Sequence, residues 1–348
     1  MFEPLEAGNE FRREYIDALE ALIDARREEN AVERYKYYRE NFKTAPEIIR
    51  AKLKQKLGWP LTENPSEIEK INKTLVCIRD GISIYRVQLF MRGIPFYGML
   101  FVNEDGKKRP LVLAVHGGLG TPEVVGGMLE CGTDNYAHFV ERLNALGANV
   151  FAPQLLIWEP ERFKAREKDL SGDVNAMRRP RDSALQQTGS SITAIEIYAM
   201  SRAIDWLDNE PFTQKGCIGI TGLSYGGFYS MYMAAIDTRI RAALTSCSFN
   251  DRWHGSRIAT DYIWGDSGRF FCDAEIALLI YPRRLMIQVG DHDQILSFEG
   301  AKREFKRFKL LADELTEGDW YKFDAFDGRH EFSPDDGCLK WLIESCQI

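Results

Sequence analysis

The chain has 348 residues, 45% hydrophobic and 28% charged, with a formal net charge of −7. These are ordinary globular values. The acidic balance argues against nucleic acid or an anionic membrane as the main partner, and no apolar run approaches the ~18 residues needed to span a bilayer. The seven cysteines show no C-x-x-C pairing, so buried free thiols are expected rather than disulfides or a zinc site. The first residues combine neither a basic stretch nor an apolar one, so no secretory signal is expected and a reducing cytoplasm is the expected compartment.

Residues 9–57 carry the most sustained helical pattern, with Phe11, Tyr15, Ala18, Leu19, Leu22 and Ile23 at three- and four-residue spacing. A second helix is predicted over 32–42 and a third over 46–57, with Pro46 suited to a first turn and Gly58-Trp59-Pro60 as the stop. Tyr35, Tyr37, Tyr38 and Phe42 are read as packing a helix onto its neighbour rather than lining a pocket.

The texture then changes to strands over 75–78, 82–90 and 96–101, antiparallel, with Asp80-Gly81 as a hairpin turn. Residues 110–115 form a continuous apolar strand of the kind buried on both faces, and it delivers His116-Gly117-Gly118-Leu119-Gly120. A helix over 136–146 and a strand over 149–153 follow. Residues 154–188 read as irregular and charged, with Trp158, Phe163 and the basic run Arg178-Arg179-Pro180-Arg181. That run is read as a solvated loop, with contact to an acidic substrate group as its functional alternative.

A helix over 191–207 precedes a short strand, 217–220, which leads into Gly222-Leu223-Ser224-Tyr225-Gly226-Gly227 and a helix over 228–236. Next come a strand over 240–247 and an aromatic-rich insertion over 252–282 with Trp253, Tyr262, Trp264, Phe270 and Phe271. Sugar stacking on Trp253 or Trp264 is conceivable, but core packing is the preferred reading. A strand over 284–289 delivers Gly290-Asp291-His292-Asp293. After a helix over 298–311, the last strand, 320–326, delivers Asp327-Gly328-Arg329-His330, and a helix over 336–346 closes the chain.

A strand, then G-x-S-x-G, then a helix is the context in which this motif carries chemistry. So tight a turn forces Ser224 into a strained backbone and sets its hydroxyl at a helix N-terminus, where the N–H of Tyr225 can bind an oxyanion. The loop after residue 115 lies at the carboxyl end of a buried strand, where an open α/β sheet places its site. Its glycines suit a second oxyanion contact better than a phosphate, since no Lys-Ser/Thr partner follows. His116 is read as a brace for this loop, not as a base. Serine needs a base to take its proton, and in such a sheet the order is Ser, acid, His. His254, His292 and His330 therefore remain. His330 stands in a glycine-containing loop after the last strand and is read as the base. Asp293, three residues past Gly290, is read as the acid that orients it. Asp291 is the rival on position, and Asp251 is a topological alternative after the preceding strand. Asp324 and Asp327 read as turn residues. Neither a cofactor nor a metal is called for.

With these motifs the chain resembles the α/β-hydrolase superfamily and is most similar to its dienelactone-hydrolase-like and acetyl-xylan-esterase-like serine esterase group. The resemblance covers about residues 73–348. It rests on His116-Gly117-Gly118, the helix over 192–207 ahead of the Ser224 motif, Tyr281-Pro282-Arg283-Arg284 ahead of Gly290-x-x-Asp293, and His330. It implies an α/β-hydrolase fold, with a mostly parallel central sheet and helices on both faces. A helical extension over 1–72 would precede the catalytic domain over 73–348, with the 252–282 insertion shaping the pocket. It also implies Asp293 over Asp291 as the acid, and the N–H of Gly118 as the second oxyanion donor. Three departures matter. Dienelactone hydrolases proper use a cysteine where this chain has Ser224, so an esterase-like reaction fits better. The residue after His116-Gly117 is not the aromatic common in acetyl xylan esterases. Residues 1–72 carry no transferable motif.

The leading expectation is a serine ester hydrolase working through Ser224, His330 and Asp293 on a small-molecule ester, such as an acetylated sugar or another carboxylic ester. A peptidase of the prolyl-oligopeptidase-like type is the alternative, although the ~72 helical residues are too few for a propeller, whose blades need ~40 each. A non-catalytic binding module on the same fold is a third reading, and an intact Ser, acid and His argues against it. A haloalkane-type dehalogenase would need an aspartate at position 224. A homo-oligomer is compatible with the sequence.

Overall fold

The computed structural model describes residues 3–118, 120–129, 134–156, 178–252 and 264–347. A nine-stranded sheet organises the fold: β1 (Lys70–Arg79), β2 (Ile82–Met91), β3 (Ile94–Asn103), β4 (Arg109–Val115), β5 (Asn149–Pro153), β6 (Thr213–Leu223), β7 (Ile240–Ser246), β8 (Arg284–Gly290) and β9 (Tyr321–Phe326). Their spatial order is β1-β2-β3-β5-β4-β6-β7-β8-β9. The first three strands form an antiparallel meander and β3 pairs antiparallel with β5. From β5 to β9 every pairing is parallel.

Helices cover both faces, as the apolar texture of the central strands demands. On β4, Leu111, Leu113 and Val115 enter one core and Val112 and Ala114 the other, which is the period of two of a strand buried on both sides. The first core is roofed by α2 (Pro46–Leu57), α6 (Ile192–Leu207), α7 (Tyr225–Ile236), α9 (Asp273–Leu278) and α10 (Phe298–Leu315), together with the last turns of α1 (Asn9–Asn41) and Phe270 of the short α8 (Ser267–Phe270). The second is closed by α3 (Pro122–Val125), α4 (Phe139–Ala145) and α11 (Gly337–Ser345). Among the described residues, no helix is long and apolar enough to cross a membrane.

Two expectations about helices change. The chain from Asn9 to Asn41 is one helix, not two. The polar stretch before Val32 interrupts the apolar rhythm, but it holds no glycine or proline, and polarity alone does not stop a helix. Within residues 154–188, read as irregular, α5 (Arg178–Gln187) forms. Pro180 falls in its first turn, where a missing N–H costs nothing. Trp158 and Phe163 lie outside the described residues. Of the aromatic set on α1, Tyr38 and Phe42 are buried in the core, Tyr37 is partly buried against it, and Tyr35 is exposed. Ile49, Leu53 and Leu57 of α2 recur every four residues and are fully buried in that same core, each worth about 1.5–3 kcal/mol against exposure.

Candidate active site

Ser224 occupies the joint between β6 and α7 with φ 59° and ψ −115°, a conformation that costs a side-chain-bearing residue about 1–3 kcal/mol. Its neighbours hold it there. The Ser224 N–H donates to the carbonyl of Ser246 at the end of β7 (2.9 Å), and its own carbonyl accepts from the N–H of Phe228 (2.9 Å). The flanking glycines are sterically required. A Cβ on Gly222 would stand 2.5 Å from the carbonyl oxygen of Val115, and one on Gly226 would collide with that same oxygen. The elbow can therefore lie against the end of β4 only with hydrogen at both positions.

That contact brings the loop after β4 to the serine. A Cβ on Gly117 would come 3.4 Å from the Cβ of Ser224 and 2.9 Å from the carbonyl oxygen of Leu223. The loop is fixed from three directions. The Gly117 N–H donates to the hydroxyl of buried Tyr136 (2.9 Å), so this N–H is engaged and the next one, at Gly118, is the candidate donor to a ligand. His116 is fully buried. Its Nδ1 lies 2.8 Å from the Gly117 carbonyl, and its Nε2 accepts from the N–H of Leu155 (2.9 Å). One neutral tautomer, with the proton on Nδ1, satisfies both contacts. Burial pushes its pKa down to about 4, so the ring is a brace, as its sequence position suggested.

On the far side of Ser224, the loops after β8 and β9 are laced together. The Asp291 N–H donates to Phe326 and the His292 N–H to Gly328. From this pair of loops His330 Nδ1 meets Asp293 Oδ2 at 2.7 Å. The other carboxylate oxygen, Oδ1, accepts the N–H groups of Ile295 (2.8 Å) and Leu296 (3.0 Å). Both oxygens of this buried aspartate are thus committed, and the imidazole is held in one orientation. Asp291 accepts instead from the Gly328 N–H and lies near His292. Asp251 pairs with Arg303. Neither of these two is hydrogen-bonded to His330. His292 is exposed, facing Asp291 and Asp327, and His254 lies outside the described residues.

Two contributors were not singled out from sequence. Cys247, the residue after β7, has φ 45°, and its Sγ reaches the Glu331 carbonyl at 3.2 Å. It therefore ties the Ser246 end, which holds Ser224, to the loop that carries His330. The second is Tyr136, whose hydroxyl holds Gly117. A lone Cys at the end of an apolar strand and a lone Tyr after a polar turn give no sequence signal for either role. Cys247 Sγ, an Asp293 oxygen and a His330 nitrogen lie within 4.8 Å of one another. Of these, His330 Nδ1 and Asp293 Oδ2 bond each other, Asp293 Oδ1 accepts backbone N–H groups, and Cys247 Sγ donates to a backbone carbonyl. The basic run divides. Arg179 and Arg181 are exposed, whereas Arg178 is buried, pairs with Glu196 (3.0 Å) and stacks over Tyr225 and Tyr229. Arg178 thus anchors α5 to α6 beside the elbow rather than standing in a solvated loop. Trp264 is buried against Phe271 in the core, and Trp253 and Tyr262 lie outside the described residues.

Residues 187–273, about a quarter of the chain and including the elbow, match the X-Pro dipeptidyl-peptidase (S15) family. Over 143 residues the chain is 31% identical to YtaP of Bacillus subtilis (strain 168), a protein assigned as a hydrolase by name only. That match covers 39% of this chain and 47% of the relative, so it spans about half the relative's length. Among solved structures, a Bacteroides fragilis NCTC 9343 protein, whose naming as an acetyl xylan esterase is itself inferred, superposes with TM-score 0.63 at 14% identity. It covers 81% of this chain and 74% of its own. A glucuronoyl esterase from Solibacter usitatus gives TM-score 0.59 at 16% identity, covering 88% and 92%. A cold-adapted esterase from an Arctic intertidal metagenomic library gives 0.53 at 17%, covering 80% and 99%. By its strand order and its superposition on these esterase structures, the chain has the α/β-hydrolase fold.

Proposed function

We propose that the protein is a serine ester hydrolase that works through an acyl-enzyme on a small-molecule carboxylic ester. The observation that carries this reading is the His330 Nδ1 to Asp293 Oδ2 bond of 2.7 Å, with the second carboxylate oxygen held by two backbone N–H groups. An imidazole so held keeps its proton on Nδ1 and presents a basic Nε2.

In this mechanism Nε2 of His330 takes the Ser224 proton as Oγ attacks the acyl carbon. The negative charge that develops on the carbonyl oxygen is received by the N–H groups of Tyr225 and Gly118, and the first of these carries the dipole of α7. Asp293 stabilises the imidazolium. His330 then protonates the leaving alcohol, and water deacylates Ser224 by the same relay in reverse. The esterase names of the structural neighbours favour an ester, an acetylated sugar among the candidates. The S15 match favours a peptidase as the second reading, but the matched stretch contains neither Asp293 nor His330. A panel of p-nitrophenyl esters of rising chain length, acetylated sugars and aminoacyl anilides separates the two. The proposal expects ester turnover with negligible anilide cleavage, and the opposite ranking would make the protein a peptidase.

A further inference from the structure

One polar side chain interrupts the apolar lining of the sheet beneath the candidate site. On β8, Leu285, Ile287 and Val289 enter the first core and Met286 the second, so the period of two turns Gln288 to the second face. There it is fully buried. Burying an amide costs free energy unless its hydrogen bonds are met, and Gln288 meets them on the strands to either side. Its register partners are Ser246 on β7 and Asp324 on β9. The Ser246 hydroxyl donates to Gln288 Oε1 (3.1 Å), and Gln288 Nε2 donates to Asp324 Oδ2 (3.1 Å). The Ser333 N–H also points to Oε1, at 3.4 Å. Two donors at one end and a carboxylate at the other admit a single orientation of the amide. Asp324 lies inside β9, not in a turn as its sequence position suggests; Gln288 and Lys322 (3.2 Å) satisfy its carboxylate there.

This ladder of three polar residues crosses the sheet just below the loops of the site. Ser246 holds the Ser224 N–H through its carbonyl, and the next N–H, that of Cys247, donates to the main-chain carbonyl of Gln288 (2.9 Å). Gln288 lies two residues before Gly290, where the loop of Asp293 begins, and Ser333 lies three residues past His330. One buried amide thus bonds the segment that supports the proposed nucleophile and the segment that follows the proposed base, from the strand that carries the proposed acid. A Leu or Met would fill the position without the cost of burying an amide, so packing alone does not call for Gln288. Building on the ester-hydrolase reading above, we propose that Gln288 is a positioning residue. Acting through Ser246 and Ser333, it sets the spacing of Ser224 against His330 and Asp293. Hydrogen bonds are directional and weaken steeply when bent, so losing the amide frees the strand ends to shift against one another.

Steady-state kinetics of the full-length protein on a p-nitrophenyl ester test this, with active sites counted by fluorophosphonate labelling of Ser224. Gln288→Leu should label to the same stoichiometry as wild type. Its kcat per labelled site should fall at least about tenfold, within the ~100-fold that a displacement of about 1 Å can cost, with KM within about twofold. Ser246→Ala removes a single hydroxyl and should lose about 3–10-fold in kcat, a loss not repeated in the Gln288→Leu background. Gln288→Glu sets two carboxylates against each other and should be slower than Gln288→Leu. Adding Asp324→Asn exchanges donor and acceptor across the same gap and should raise kcat at least about tenfold over Gln288→Glu alone. Lower melting temperatures in Gln288→Leu and Ser246→Ala, with wild-type kcat per labelled site, would make the ladder a matter of packing and overturn the proposal. So would a Gln288→Glu, Asp324→Asn enzyme no faster than Gln288→Glu. Where Gln288→Leu does not fold, Ser246→Ala decides between the same two results. A wild type that takes no label at Ser224 removes the ester-hydrolase reading itself, and the positioning role with it.

Discussion

The thiol of Cys247 sits 3.2 Å from the carbonyl oxygen of Glu331, one residue past His330. The same Cys247 follows Ser246, whose carbonyl holds the Ser224 N–H. One short segment therefore sets both the proposed nucleophile and the loop of the proposed base. Cys247→Ala should fold and lose about 3–10-fold in kcat/KM, the worth of one modest hydrogen bond, with Cys247→Ser closer to wild type. Equal rates for the alanine variant and wild type would show that the tie does not matter to turnover.

Arg34 reaches from α1 into a buried ionic cluster, 2.9 Å from Glu275, with both side chains 2% exposed. Arg307 also pairs with Glu275 (2.6 Å) and with Glu304. Removing one partner of a buried pair leaves an uncompensated charge, at a cost of several kcal/mol. Arg34→Met should lower unfolding free energy in urea by about 2–4 kcal/mol, toward the lower end because Arg307 remains. Arg34→Met with Glu275→Gln should recover part of that loss, and additive effects of the two changes would contradict the coupling.

His116 makes stability depend on acid. Its pKa falls from 6.5 to about 4 on burial, so at intermediate pH the unfolded chain binds the proton more readily than the native one. The corresponding stability is fully present above pH 6.5 and is lost as pH falls toward 4. In all it amounts to about 3 kcal/mol, of which about 2 is gone by pH 5. Denaturant titrations at pH 7 and pH 5 should show this loss in wild type and a smaller one in His116→Gln. Equal pH slopes in the two proteins would remove His116 as its source.

Much of this site was legible in order along the chain because its parts are local. An elbow needs a strand, glycines and a helix in succession, and His116-Gly117-Gly118 directly ends an apolar strand. The strand over 149–153 was read to the residue, since every position in it is buried. What the sequence hides is long-range pairing. Nothing in the spacing links Cys247 to Glu331, Tyr136 to Gly117, or Arg178 to Glu196, because each bond joins segments brought together only by the sheet order. The basic run illustrates the difficulty: three arginines alike in sequence separate into one buried anchor and two exposed side chains. The unbroken α1 was missed because the polar stretch before Val32 interrupts its apolar rhythm without bringing a glycine or proline that would stop the helix.

The choice of acid can be tested residue by residue. Asp293→Asn keeps the shape but favours the wrong imidazole tautomer, a loss on the order of 10⁴ in kcat. Asp291→Asn and Asp251→Asn should keep at least about a tenth of wild-type activity, since they bond Gly328 and Arg303 rather than His330. A severe loss at Asp251 with Asp293→Asn active would move the acid to the strand end after β7.

The central claim is that Ser224 is the nucleophile, and covalent labelling addresses it most directly. Treated with a fluorophosphonate and analysed by peptide mass spectrometry, the wild type should carry one adduct, on Ser224. Ser224→Ala should fold, take no label and keep at most the ~10³–10⁴ over water that binding and the oxyanion hole provide. An adduct on another residue, or a Ser224→Ala enzyme that hydrolyses esters at near-normal rates, would contradict the account.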